Sequence, residues 1–232
     1  MNTKLVLSTI DQLLKEVNKA KSISDKKKEK IIKSLKDVHI KYEDLEVPEE
    51  LKQQYNQLNS KGIELVKELR NSKIDNKNEI ENNIETYIRY LKASVFDFEG
   101  RNNYLRKYIT SFLFSSILFL ALSPQFYGFI LPVLFFLPIY LGLKGVKQRS
   151  MTGFYMTMSV VPVAFMTAAT WIRYGISASK DYTRAVASIV ESGVSQNLAQ
   201  NLVWIGPLFG VLLLLFSIIQ LYRGFKSKDL FI

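Results

Sequence analysis

Apolar positions follow one rule in the first hundred residues and another in the rest. Up to about residue 98 they return every three or four residues between charged ones, the period of a helix that buries one face. Val6, Ile10, Leu13, Leu14, Val17 and Ala20 make the first stripe and predict a helix from about Thr3 to Ser22. Ser24–Asp25 reads as the cap of the next, whose stripe is Ile31, Ile32, Leu35, Val38, Tyr42 and Leu45. Val47–Pro48–Glu49–Glu50 is a restart, with Pro and acids suited to a first helical turn. The third stripe is Leu51, Tyr55, Leu58, Leu65, Val66 and Leu69, with Gly62 as its weak point. The fourth, Ile80, Ile84, Tyr87, Ile88, Leu91, Val95 and Phe98, has the cleanest spacing.

Each stripe is narrow, so none of these helices buries its face alone. Two arrangements satisfy that demand. One is a compact antiparallel bundle with coiled-coil-like packing near 20°. The other is an extended arm that covers its stripe with another protein or a second copy. The spacing favours the bundle.

Beyond residue 108 the pattern becomes continuous apolar runs at about 109–123, 126–143, 151–172 and 202–222, without a charged residue inside them. A helix needs about 20 apolar residues to cross a bilayer. The last two runs meet that unaided. The first two are short and read as a hairpin around Ser123–Pro124–Gln125, either crossing or re-entrant. Tyr104 and Tyr108 extend the first run into the interface, with Arg106 and Lys107 snorkelling. Between the third and fourth runs, segment 176–200 carries Tyr182, Val186, Ile189 and Val190 on one helical face, an amphipathic element lying along the membrane surface.

Charge sharpens the division. Residues 1–107 hold 22 of the 31 Lys+Arg and 18 of the 21 Asp+Glu. The predicted organisation is a helical bundle over 1–100, a juxtamembrane hinge over 101–108 around Gly100–Asn103, a four-span domain over 109–225 and a tail over 226–232. Basic residues beside the runs set the topology. Arg101, Arg106, Lys107, Lys144, Lys147, Arg149, Arg223, Lys226 and Lys228 fall on one side, and Arg173, Lys180 and Arg184 on the other. The positive-inside rule then places both termini in the cytoplasm, with Arg106, Lys107, Lys144, Lys147, Arg149 and Arg223 as membrane-interface residues. The Leu5–Leu7 patch is too short for a signal peptide. A multi-pass cell-membrane protein is expected. Its Lys, Ile and Asn content suggests an AT-rich, bacterial genome.

Small residues four apart let helices approach closely. Ala164-xxx-Ala168 and Gly206-xxx-Gly210 are such pairs. If spans three and four are antiparallel, Ala164 sits level with Gly210 and Ala168 with Gly206. Prolines at 132, 138, 162 and 207 predict bends.

Chemistry is sparse. The chain has no Cys and one His, which removes thiolate sites and two-His zinc motifs. His39 lies beside the second stripe and reads as a structural residue. Gly142-Leu-Lys-Gly145 is too short to cradle phosphate, and Gly193-Val-Ser195-Gln-Asn197 lacks the closing Gly of a nucleophile elbow. Lys26, Lys27, Lys28, Lys30, Lys33 and Lys36 form a basic stretch interrupted by Glu29 and without aromatic residues. That is a solvated helix face, or failing that a contact for anionic lipid, rather than a nucleic-acid surface. No catalytic residue, cofactor or metal is expected. The sequence points to an all-α, non-enzymatic membrane protein whose cytoplasmic helices bind a protein partner. The alternative is a channel or transport component, alone or as a homo-oligomer, and a membrane-embedded enzyme is the least supported class.

Overall fold

A computed structural model of the chain describes residues 2–20, 23–71, 77–101 and 103–232. Among these residues every regular element is helical. The chain divides into two compact units, the first ending at Asn103 and the second comprising Tyr104–Phe231.

The first unit holds α1 (Lys4–Lys19), α2 (Asp25–Glu43), α3 (Lys52–Asn71) and α4 (Lys77–Phe98). α1 packs on α2 and α3, and α4 packs on the same two from the other side. Side chains three and four apart meet along the middle: Val6, Ile10, Leu13 and Val17 from α1, Ile31, Leu35, Val38 and Tyr42 from α2, Tyr55, Leu58 and Val66 from α3, and Ile84, Leu91 and Val95 from α4. The edges of the predicted stripes, Leu14, Ala20, Ile32, Leu51 and Leu69, are only partly buried. The expected end of the first helix at Ser22 lies outside the described residues; α1 ends at Lys19. Pro48 stands just before a short 3-10 turn, Glu49–Leu51, that leads into α3.

Several buried hydroxyls in this core are tied to backbone, whereas that of Tyr87 has no hydrogen-bond partner. Tyr42 donates to the Leu91 carbonyl at 3.0 Å, and Thr3 donates to the Tyr42 carbonyl at 2.6 Å. The Val6 amide donates to the Tyr55 hydroxyl at 3.2 Å. Gly62, expected as a weak point, is instead a point of close approach. A Cβ there would lie 2.3 Å from the Tyr87 hydroxyl and 2.6 Å from Thr9 Cγ2, so only glycine lets α3 sit this near its neighbours.

Gly100 ends α4. It has φ +66°, and the Arg101 and Gly100 amides bond back to the Phe96 and Asp97 carbonyls at 2.8 and 3.0 Å. This is the glycine-terminated helix end that satisfies the last carbonyls. The rest of the expected hinge includes Asn102, which lies outside the described residues.

The second unit contains α5 (Asn103–Leu122), α6 (Pro124–Tyr127), α7 (Ile130–Lys147), α8 (Met151–Ala178), α9 (Tyr182–Glu191) and α10 (Gln196–Ser227). Four of them, α5, α7, α8 and the segment Gln196–Leu230, are long and apolar enough to cross a membrane. Each is longer than, or displaced from, the apolar run that announced it. The Ser123–Gln125 turn is a short helix closed by Gly128 at φ +61°, so α7 begins four residues late. α8 runs six residues past Ile172. The amphipathic segment is one short helix, α9, ended at Gly193 with φ +91°. Residues 226–232, expected as a tail, fold back. Lys228–Leu230 is a 3-10 turn, and Phe231 is buried against Phe154 and Tyr108, with ring centroids 4.7 and 5.9 Å away. An apolar Leu-Phe pair at the chain end is drawn to the nearest apolar surface, which a count of charges does not reveal.

α8 is the centre of this unit, with α7 on one side and α10 on another. α7 and α8 touch backbone to backbone. A Cβ on Gly145 would lie 2.6 Å from Gly153 Cα. The turn between them puts Arg149 at φ +57°, with Ser150 and Arg149 amides bonding to the Gly145 and Val146 carbonyls. α5 meets its neighbours through side chains, from the long Tyr108 and Phe119 to the short Ser115.

Candidate functional site

The densest arrangement of polar groups in the second unit is a buried seam where α5, α8 and α10 face one another. Thr157 on α8 donates to its own Phe154 carbonyl at 2.8 Å, which leaves its oxygen to accept from Tyr108 on α5 at 2.6 Å. Gln220 on α10 donates to the Thr157 carbonyl at 2.9 Å. One turn deeper, Ser115 and Ser217 share a hydrogen bond of 2.9 Å between α5 and α10. Tyr108, Ser115, Thr157, Ser217 and Gln220 are all fully buried. Gln220 Oε1 and Ser116 Oγ have no hydrogen-bond partner.

In hydrocarbon such pairs hold helices together, at about 0.6 kcal/mol each on average. The seam is uncharged, and its donors are hydroxyls and one amide. It joins helices and carries no acid–base pair. Among the described residues no three His, Asp or Glu side chains are placed to hold a metal ion.

Tyr108 departs from its expected role at the interface. Four residues after Tyr104 in the helix, it points inward because Thr157 and Phe154 offer its ring and hydroxyl a place together. Tyr104, half-buried, has Lys226 over its ring at 5.2 Å.

Ala164, Ala168, Gly206 and Gly210 are all buried, and Ala168, Gly206 and Gly210 lie where α8 and α10 meet. Their register is one turn away from the expected one. A Cβ on Gly210 would meet Trp171 Cβ at 2.7 Å and the Ala168 carbonyl at 3.4 Å, so Gly210 is beside Ala168 rather than Ala164. Gly206 faces Trp171, whose ring atom Cζ3 would be 1.9 Å from an added Cβ. Trp171 is the reason for the shift. Its indole fills the space over Gly206, and its Nε1 donates to the Leu122 carbonyl at the end of α5, at 3.0 Å. Phe126 and Tyr174 pack on the same ring. Sequence spacing alone passed over Trp171. The signal was present as a large aromatic residue one turn beyond Ala168, opposite two glycines.

The six predicted interface cations gather at one end of the second unit. Arg106 and Lys107 start α5, Lys144 and Lys147 end α7, Arg149 lies in the α7–α8 turn, and Arg223 is near the end of α10. Arg223 donates through Nη1 to the Lys107 carbonyl at 2.8 Å. Arg106, Lys107, Lys144 and Lys147 are exposed, while Arg149 and Arg223 are half-buried.

In the first unit, His39 lies 3.3 Å from both Asp11 Oδ1 and Glu43 Oε1, across and along the helices. The lysine stretch is partly neutralised: Lys27 pairs with buried Glu81, and Lys30 with Glu85 at 3.8 Å. The hydrogen bond from Lys27 to Glu81 raises the Lys27 pKa above its ordinary value. Burial pushes the Tyr42 and Tyr87 phenols well above the usual tyrosine range. A shallow, open groove runs along one face of α3 and the turn before it, lined by Glu49, Gln53, Asn56, Gln57, Ser60 and Glu64 among others.

No protein-family model matches the chain, no curated protein matches it, and no solved structure matches it.

Proposed function

We propose that this is a non-enzymatic, multi-pass protein of a bacterial cell membrane whose N-terminal helices bind a protein partner in the cytoplasm. In this reading the first unit is an antiparallel, coiled-coil-like bundle, the second is its four-span anchor and assembly surface, and both termini are cytoplasmic. The observation that carries the reading is the groove on α3. Its amide and hydroxyl side chains are exposed on one helix face, while Tyr55, Leu58, Leu65 and Val66 of the same helix are already used in the core. Such a surface offers hydrogen bonds to a polypeptide without being needed for folding. The cluster of six cations at one end of the second unit supports the orientation.

A channel or transport component, alone or as a homo-oligomer, is the second reading. The buried hydroxyl seam with an unpartnered Gln220 Oε1 favours it. So does the open apolar face of α7, where Phe129, Ile130 and Val133 are exposed; that face meets either lipid or a second copy.

The test is quantitative co-purification from crosslinked native membranes with three chains: full length, a deletion of residues 1–98, and Gln57→Lys/Ser60→Arg in the groove. The proposal expects a specific partner that is lost with both changes. A partner retained by the deletion would move recruitment to the spans. No enriched partner with any chain would favour the transport reading, to be followed by solute flux in reconstituted vesicles.

A further inference from the structure

We propose that the α9 end of the second unit holds the acyl chain of an anionic phospholipid in a groove between α8 and α10. The groove has a volume of about 500 Å³ and is lined almost wholly by apolar side chains, including Ile172, Ile176, Val203, Leu208 and Val211. It exists because the two helices meet at a point without side-chain bulk. A Cβ on Gly175 would lie 2.6 Å from Pro207 Cβ. Helices in contact at that point leave a furrow along the side, open to whatever surrounds the spans.

Three observations select the occupant. Ile176 and Leu208 are each 59% exposed, so the furrow is unfilled by the protein itself. Its mouth is flanked by Tyr182 and Trp204, whose ring centroids are 6.3 Å apart, and such amphipathic rings settle at headgroup level. Arg173 and Lys180 lie three residues before and four after Ile176, on the same face of α8 and just beyond its end. Both are exposed, and neither forms an ion pair among the described residues. Arg184 adds a third cation on α9; of the acids on this side, Asp181 already accepts from the Arg184 amide through Oδ1 at 3.0 Å, and Glu191 is at the far end of α9. An apolar furrow ending at a cationic rim matches a molecule with an apolar chain and an anionic head. In a bilayer that molecule is a phospholipid. The site rests on the reading that this unit lies in a membrane, and it is independent of the partner of the first unit.

Trp204, 72% exposed beside the groove, is a built-in reporter; the other tryptophan, Trp171, is buried. Full-length protein is reconstituted in phosphatidylcholine vesicles containing the same low mole fraction of either phosphatidylglycerol or phosphatidylcholine with brominated acyl chains. Trp204→Phe supplies the Trp171 background. The proposal expects brominated phosphatidylglycerol to quench Trp204 several-fold more effectively, roughly fivefold for each cation engaged. Arg173→Gln/Lys180→Gln/Arg184→Gln, which changes only exposed side chains, should abolish the preference. Ile176→Phe should reduce quenching by both lipids as the larger ring fills the furrow. Equal quenching by both lipids in the wild type means annular contact only and overturns the site. A preference that survives Arg173→Gln/Lys180→Gln/Arg184→Gln overturns the headgroup assignment. Absence of quenching by either lipid overturns the membrane reading together with the site.

Discussion

The two units are both helix bundles, yet they differ in what they expose and in where their buried polar groups lie. In the first, aliphatic and aromatic side chains fill the centre and Lys and Glu cover the outside. In the second, small and hydroxyl-bearing residues share the centre with buried Phe112, Phe119 and Trp171, while Phe129, Ile130, Val133, Leu134 and Trp204 face outward. Of twelve buried polar side chains among the described residues, nine belong to the second unit. The difference teaches which force holds each. Water drives the first unit together by the hydrophobic effect. A span in lipid gains nothing by exchanging a tail for a leucine, so under the proposed membrane placement close backbone approach and interhelical hydrogen bonds hold the second.

That contrast is open to measurement. The largest effect is expected in the first core: Leu35→Ala, at a fully buried position, should lower stability by about 3 kcal/mol. Leu134→Ala, 65% exposed on α7, should change it by less than about 0.5 kcal/mol. Melting in detergent, followed by circular dichroism, compares them. Similar losses for both would erase the distinction.

Next comes the glycine contact. Gly206→Ile must displace Trp171 and should lower stability by about 2 kcal/mol. Unchanged melting would show that α8 and α10 do not meet there.

Single hydrogen bonds should have smaller effects, and of different kinds. Tyr42→Phe strands a bond in a water-formed core and should lower stability by about 1 kcal/mol. Gln220→Met removes one interhelical bond but also an unpartnered carbonyl oxygen, so the net change should be within about 0.6 kcal/mol of zero.

The smallest term is pH-dependent and confined to the first unit. Lys27, Tyr42 and Tyr87 all have folded pKa values raised above their ordinary 10.5, 10.0 and 10.0. A raised value means stability that is complete below the ordinary pKa and is lost as pH rises through the folded one. The first unit should therefore weaken above about pH 10, and Glu81→Gln should remove the Lys27 part of that slope. Because other tyrosines are exposed, the readout is the difference in tyrosinate absorbance between wild type and Tyr42→Phe/Tyr87→Phe; a difference that appears before any loss of helix would contradict the burial of the two phenols.

Helical periodicity made much of this contrast legible. The stripe from Ile80 to Phe98 names the buried face of α4, because a water-exposed helix can hide apolar groups on only one side. The four apolar runs likewise announced helices able to cross a membrane. Periodicity identifies a face but not which residue of the neighbouring helix meets it. The one-turn register shift at Gly210 came from Trp171, whose bulk is set by three-dimensional space rather than by spacing. Tyr108 was read as an interfacial anchor because aromatic residues near span ends often are. Its partner Thr157 lies 49 residues away, beyond any local pattern. Gly62 illustrates the same limit, since helix propensity counts its missing side chain as a weakness and packing uses it as space. The apolar groove beside Gly175 had no sequence signature, because it arises from two helices meeting.

The most direct test of the whole arrangement is labelling of single cysteines in intact cells, which the absence of native Cys makes clean. Ser60 in the first unit and Ser188 on α9 are both exposed, and each is replaced by cysteine in turn. A membrane-impermeant maleimide should label the Ser188→Cys protein at once and the Ser60→Cys protein only after permeabilisation. Labelling of the Ser60→Cys protein in intact cells would contradict a cytoplasmic first unit and the topology built on it.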